Sequence, residues 1–111
     1  MDVTLYKNFS VPNKITKNIT QVAKYFYITF DDIVGRSRTK KIALARQIAM
    51  YLVRELTSMS LNDIGQVFGG KDHTTVMHAY TRISDEMQEK QEIYNYVTEL
   101  TLQLKQRSGE K

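Results

Sequence analysis

Ser60-Leu-Asn-Asp-Ile-Gly-Gln-Val-Phe-Gly-Gly-Lys-Asp-His-Thr-Thr-Val-Met-His-Ala-Tyr80 is the stretch on which the fold turns. Ser60 and Asp63 have capping-box spacing, and Leu61, Ile64, Val67 and Phe68 recur as one face of a short amphipathic helix. Gly69-Gly70 stops that helix, because glycine adopts the left-handed conformation a helix end needs at little steric cost. Asp72 is placed to N-cap the next helix, with Val76, Tyr80, Ile83 and Met87 on its inward face. Two helices joined by a tight glycine turn form a helix-turn-helix, here spanning roughly Ser60 to Ser84.

The rest of the chain also reads as helix. Upstream, Lys40 to Thr57 predicts a long helix with a stripe of Ile42, Ala45, Ala49, Leu52 and Leu56, widened by Ile48, Tyr51 and Val53. Before it lie a basic loop, Arg36-Ser37-Arg38-Thr39-Lys40-Lys41, and a single helical turn. Thr29 and Asp32 cap that turn, Ile33 and Val34 face inward, and Gly35 ends it. Ile15, Ile19, Val22 and Phe26 mark a first helix, and Ile93, Val97, Leu100 and Leu104 a last one. No stretch reads as a strand. The expected fold is all-α, a compact bundle of about six helices. Residues 1–14 are expected as an N-terminal linker or tail, 15–104 as the helix-turn-helix domain, and 105–111 as a polar tail.

Composition narrows the function. The 111 residues hold one domain, and 41% hydrophobic with 25% charged residues is a globular balance. Cysteine is absent, which removes disulfides, thiolate nucleophiles and Cys-based metal sites. The start, MDVTLYKNFS, lacks an apolar signal region, and the longest apolar run, Ile48 to Val53, is far below the ~20 residues that cross a bilayer. A soluble, intracellular protein is expected. The net charge is +4, unevenly spread. Arg36, Arg38, Lys40, Lys41, Arg46 and Arg54 occur with no acid among them, whereas Asp85, Glu86, Glu89, Glu92, Glu99 and Glu110 dominate the C-terminal part. One electropositive face suits a polyanion, although a charged stretch is by itself only a solvated surface.

The helix-turn-helix supplies the chemistry. Its second helix fits the B-DNA major groove while the first braces it across the backbone. The exposed first turn would carry Lys71, Asp72, His73, Thr74 and Thr75. Lys donates to guanine acceptors, Asp accepts from the cytosine amino group, and a Thr methyl packs on a thymine methyl. A carboxylate gains nothing on DNA unless it reads a base; equally, Asp72 can be only an N-cap. One residue can serve both ends.

Gly-Gly-Lys-Asp-His-Thr-Thr-Val, together with the upstream Ala-Arg-Gln-Ile-Ala-Met-Tyr-Leu, resembles the C-terminal DNA-binding domain of the bacterial replication initiator DnaA family. The resemblance covers about Ile15 to Leu104. It implies binding to the asymmetric, A·T-rich DnaA box, TTATNCACA and its variants, at a replication origin. By position it implies base contacts from Lys71, Asp72, His73 and Thr74 in the major groove, with Thr75 in support. Arg38 corresponds to an arginine that enters the adjacent minor groove, where a narrow A·T tract concentrates negative potential. Gln47, Arg54, Ser60 and Leu61 fall where the family contacts phosphates, Leu61 through its main chain; Arg36 and Lys40, in the basic loop, are expected to add to them. The resemblance further implies a cytoplasmic protein at the bacterial nucleoid, monomeric as an isolated domain, with double-stranded DNA as partner and no cofactor, membrane or small-molecule substrate. Lys71 stands where many members have Arg, and Asn62 where some have Pro. The family's nucleotide-binding ATPase domain has no counterpart here, so a DNA-binding module is expected rather than an enzyme, either a fragment or a stand-alone protein.

Rival readings are weaker. Gly65-x-x-x-x-Gly70-Lys71 has P-loop spacing, but Asp72 takes the place of the magnesium-binding Ser or Thr, and a helix precedes it where a strand is required. No carboxylate pair reads as a general acid and base. His73 and His78 fall on different helix faces, wrong for shared metal ligation. The stripe Ile93, Val97, Leu100, Leu104 could dock a partner but matches an ordinary core face. Tyr25, Tyr27, Tyr94 and Tyr96 could stack on single strands but read as core or boundary aromatics.

Overall fold

Short polar side chains set the helix starts. In the computed structural model, which describes residues 13–109 and side chains from Lys14 to Lys105, Thr29 Oγ1 accepts from the Asp32 amide at 2.9 Å while Asp32 Oδ2 accepts from the Thr29 amide at 3.0 Å. This reciprocal box opens α2 (Phe30–Val34), which follows α1 (Asn13–Phe26). Thr39 caps α3 (Lys40–Leu56), Ser60 caps α4 (Leu61–Val67) and Asp72 caps α5 (His73–Glu89). Each cap satisfies an amide that the helix itself leaves without a partner, typically worth ~1 kcal/mol. At α4 the Ser60 half of the expected box forms, with Oγ accepting from the Asp63 amide at 3.1 Å. After Lys90 the chain continues as α6 (Gln91–Gly109). The described residues contain six helices and no strand, an all-α fold.

α3 is the central post. Ala45, Ile48, Ala49, Leu52 and Val53 are almost wholly removed from solvent, and α1, α2, α4, α5 and α6 all pack on this helix. Being covered on several sides, α3 buries more than the expected stripe: Met50 and Arg46 are also inside, while Ile42 and Leu56 are only half-buried. On α5 the inward face is Val76, Ala79 and Ile83; Tyr80 and Met87 sit at its edge. The Tyr80 ring stacks on Tyr51 of α3 at 5.0 Å and 19°, and its hydroxyl donates to Glu55. The expected stripe of α6, Ile93, Val97, Leu100 and Leu104, is buried throughout and closes the core against α1 and α5.

Helix ends differ from the expectation in two places. Asn13 and Lys14, assigned to the leading tail, already belong to α1, and α6 runs on through Gly109 where a polar tail was expected. Polarity hid both, because Asn13, Lys14 and residues 105–109 offer no apolar periodicity for a helix to be read from. Met1 to Pro12 lie outside the described residues. Of the four tyrosines read as boundary aromatics, Tyr25 and Tyr96 fit, packing edge-on at 6.0 Å with Phe26 beside them. Tyr27 and Tyr94 are exposed.

Tyr27 ends α1 with a positive φ of 60°, and the Ile28 amide reaches back to the Ala23 carbonyl at 2.9 Å. This is the paired-bond helix ending in which glycine usually sits. Tyr27 is 89% exposed, so its ring offsets little of that strain. A left-handed L-residue costs ~1–2 kcal/mol, against ~0.5–1 kcal/mol for the extra unfolded-state freedom of glycine. Tyr27→Gly is therefore expected to stabilise the fold by about 0.5–1 kcal/mol, seen as a raised urea midpoint with an unchanged slope. A lowered midpoint would show that the exposed ring has a partner in the fold.

The α4–α5 turn imposes the opposite constraint. A Cβ on Gly65 would lie 2.0 Å from the Lys71 carbonyl oxygen, because the chain folds back across α4, where the Lys71 amide donates to the Gly65 carbonyl at 2.8 Å. Gly65→Ala must push backbone against backbone. A loss of about 3 kcal/mol or more is expected in denaturant titration, at the upper end of ordinary overpacking.

Candidate nucleic-acid interface

The helix-turn-helix turn is made by Phe68, Gly69 and Gly70, with φ of +87° and +78° at the two glycines. Gly69 also passes close to α2: a Cβ there would come within 2.6 Å of the Val34 carbonyl oxygen. The turn is thereby pressed against the end of α2 as well as α4. Asp72 then opens α5, its Oδ2 accepting from the Thr74 amide at 3.1 Å and from the Thr74 hydroxyl. The Thr74 hydroxyl, followed by the Thr74 amide, holds the Asp72 carboxyl below its usual range, so it is an acceptor-only carboxylate at neutral pH. Asp72 Oδ1 lies 3.7 Å from His73 Nδ1, and both side chains are at least half exposed. Both readings of Asp72 are thus compatible: one oxygen caps the helix, the other faces out. With its hydroxyl engaged, Thr74 has its methyl left to offer. Asp72, His73, Thr74 and Thr75 are all exposed.

Lys71 is placed differently from its neighbours. It is half-buried, and its Nζ donates to the Gly35 carbonyl at 3.2 Å and the Phe68 carbonyl at 3.0 Å. Burial, then the charges of Arg46 and Arg36, push its ammonium below the ordinary lysine value. Its charge is turned toward the protein's own backbone.

Arg46 requires a larger correction. Counted from sequence among the cations available to a polyanion, it is only 9% exposed. Its Nε donates to the Ile33 carbonyl at 2.6 Å, one terminal nitrogen to the Ser37 carbonyl at 2.9 Å, and the other to the Asp32 carbonyl at 2.9 Å. Burial alone lowers its ionisation range. Its position was the available signal, since Arg46 falls four residues after Ile42 and four before Met50, on a face that is otherwise apolar.

Around this clamp stand the exposed cations. Arg36, Arg38 and Lys40 project from the loop and the start of α3, and Arg54 from its last turn. Among the described residues the ion pairs are His73 with Asp72 and Glu86 with Arg82 and Lys90, so none of those four is neutralised by a carboxylate. Gln47, half-buried on α3, lines an open depression of about 300 Å³ between α3 and α5 with Lys71, Thr75, His78 and Arg82. A second depression, of about 310 Å³, gathers Arg54, Leu61 and Met77. Leu61, half-buried, forms its α4 edge with Glu55 and Tyr80 also lining it, and Ser60, the exposed cap of α4, precedes Leu61 in the chain. Met77 and Arg82 were not singled out from sequence, and His78 was considered only as a metal ligand. They follow Thr74 and Thr75 at helical spacing, opposite Val76, Ala79 and Ile83, which is the signal that marks them.

Exposed polar residues at the start of α5 and a loop of cations without carboxylate partners are thus joined through Lys71, whose ammonium sits on the Gly35 carbonyl, an arrangement suited to a polyanion. Comparison with known proteins points the same way. Over 93 residues the chain is 69% identical to the chromosomal replication initiator protein DnaA of Bifidobacterium animalis subsp. lactis (strain AD011), covering 84% of this chain and 16% of that protein. It is 59% identical over 91 residues to the protein of the same name from Leifsonia xyli subsp. xyli (strain CTCB07), covering 82% and 19%. With that from Clavibacter sepedonicus it shares 57% over 88 residues, covering 79% and 18%. The chain therefore spans less than a fifth of the length of these relatives. Residues 15–83, from the first buried isoleucine of α1 to the last buried one of α5, match the model described as the bacterial dnaA protein helix-turn-helix, and the chain belongs to that family.

Proposed function

We propose that this chain is a sequence-specific double-stranded DNA-binding module that reads DnaA-box-like, A·T-rich sites in the initiation of bacterial DNA replication. The observation that carries this reading is the pairing of an exposed polar helix start, Asp72 to Thr75, with an adjacent loop whose cations have no carboxylate partner. The helix start suits the major groove, where donor and acceptor patterns differ for every base pair. The loop suits phosphates and, through Arg38, the narrow minor groove of an A·T tract. Arg36, Lys40, Gln47 and Arg54, with Ser60 and Leu61 at the start of α4, would hold phosphates on either side and set the register. The module acts as a monomer on the nucleoid, without a cofactor. The names of its relatives support the replication setting.

Fluorescence anisotropy with a duplex carrying a DnaA box and a scrambled duplex tests this at two salt concentrations. With about five exposed cations engaged, log K is expected to fall with log salt at a slope of about −4, with the box duplex favoured at both salts. Equal affinity for the two duplexes would sink the sequence-reading claim, and a slope near zero the polyanion claim.

Contacts to bases and to phosphates separate by mutation. Asp72→Asn keeps a capping oxygen but adds a donor where an acceptor is required, and Thr74→Ala removes the methyl. Each is expected to cost about 1–3 kcal/mol on the box duplex and little on scrambled DNA. Arg54→Ala is expected to weaken both duplexes alike and to lower the salt slope by about one unit. Binding-site selection with folded Asp72→Asn and Thr74→Ala proteins decides the matter: recovery of the wild-type motif at full discrimination places the base readers elsewhere.

A further inference from the structure

We infer that Arg46 and Lys71 are positioning residues that weld the basic loop to the start of the reading helix, so that the minor-groove and major-groove contacts are presented in one fixed register. The inference rests on the DNA-reading function proposed above and assigns Lys71 a role other than base contact.

The loop has little else to hold it. Residues 36–38 make no backbone-to-backbone hydrogen bond, and Arg36 and Arg38 are exposed. Its main chain is gripped instead by two cations from other elements. Arg46, on α3, takes the carbonyls of Asp32, Ile33 and Ser37; Lys71, in the helix-turn-helix turn, takes that of Gly35. Ser37 immediately precedes Arg38, so fixing its carbonyl fixes the direction in which the Arg38 backbone leaves. Lys71 immediately precedes Asp72, the cap of the reading helix, and its second bond, to the Phe68 carbonyl, ties the same ammonium to the end of α4. One side chain thus bridges loop, turn and recognition helix.

The cluster is held against like-charge repulsion. The charges of Arg46 and Arg36 both disfavour the charged form of Lys71. Among the described residues no carboxylate pairs with these three side chains, so carbonyl dipoles alone compensate Arg46 and Lys71. Such an arrangement has a clear return in binding. A loop ordered before DNA arrives does not lose its freedom on docking, and that saving appears as affinity. It also places Arg38 at a constant distance from Asp72 and Thr74, so only sites with the correct spacing satisfy both.

A double-mutant cycle with a second, DNA-free readout tests the clamp. Lys71→Met retains the aliphatic stem and removes the donor; because Lys71 is half-buried at the surface, this variant is expected to keep its fold and cooperative melting. In the free protein, backbone NMR order parameters at residues 36–38 are expected to fall from about 0.85 toward about 0.6 without a matching fall in the core of α3. On the box duplex, Lys71→Met is expected to bind about tenfold more weakly, with scrambled DNA nearly unaffected. Combined with Arg38→Ala it should cost no more than Arg38→Ala alone, to within about twofold, whereas combined with Thr74→Ala the losses should multiply. Arg46→Met, where it folds, should give the same pattern.

Unchanged order parameters in the loop of Lys71→Met overturn the inference. So do losses that multiply with Arg38→Ala, which would mean that Lys71 contacts a base independently. Equal binding of wild-type protein to boxed and scrambled DNA would instead defeat the DNA-reading proposal, and the order parameters of the free protein would still decide the clamp.

Discussion

A buried guanidinium organises the half of this protein that carries the basic loop and the helix-turn-helix turn. Arg46 lies among apolar neighbours on α3, and its charge is met by three main-chain oxygens rather than by a carboxylate. Burying a cation is costly unless its donors are filled, and arginine's planar fork, with five donors in fixed geometry, can reach three carbonyls on two different segments at once. Two of those carbonyls, of Asp32 and Ile33, are acceptors that the five-residue helix α2 leaves unfilled at its C-terminal end. A helix so short has no stability of its own, and it persists because Arg46 and the packing of Ile33 and Val34 hold its C-terminal end while the Thr29–Asp32 box holds its start. The loop that follows inherits its position from the same residue.

The glycine turn extends that constraint to the reading helix. Gly65 and Gly69 let the chain pass within van der Waals distance of α4 and of the α2 terminus, where any side chain would collide with backbone. Tyr51 and Tyr80 then stack α3 against α5 farther along. Loop, turn and recognition helix are consequently parts of one body, with α3 as its spine.

Charge is divided accordingly. Arg36, Arg38, Lys40 and Arg54 face solvent without carboxylate partners, so their field is available to a polyanion. On α1 and α6, by contrast, Tyr25 and Tyr96 donate to Glu99 and Glu92 beside Phe26. Glu92 and Glu99 thus lie on α6, which carries none of the proposed DNA contacts, and Asp85, Glu86 and Glu89 lie in the last turns of α5, at the opposite end from Asp72 to Thr75.

Much of this was legible in the residues alone. Helix number, the capping residues Thr29, Ser60 and Asp72, the glycine turn and the inward stripe of α6 follow from local chemistry, because a cap, a turn or an amphipathic face depends on residues a few positions apart. The exposed start at Asp72 to Thr75 belongs to the same class. Long-range partners were not legible. Nothing adjacent to Arg46 or Lys71 indicates that one fills the carbonyls of Asp32, Ile33 and Ser37 and the other that of Gly35, 36 positions away. A basic residue has the same letter whether it faces DNA or its own backbone. Its neighbours across the fold choose between the two, and those neighbours exist only once α2, α3 and the turn have packed together.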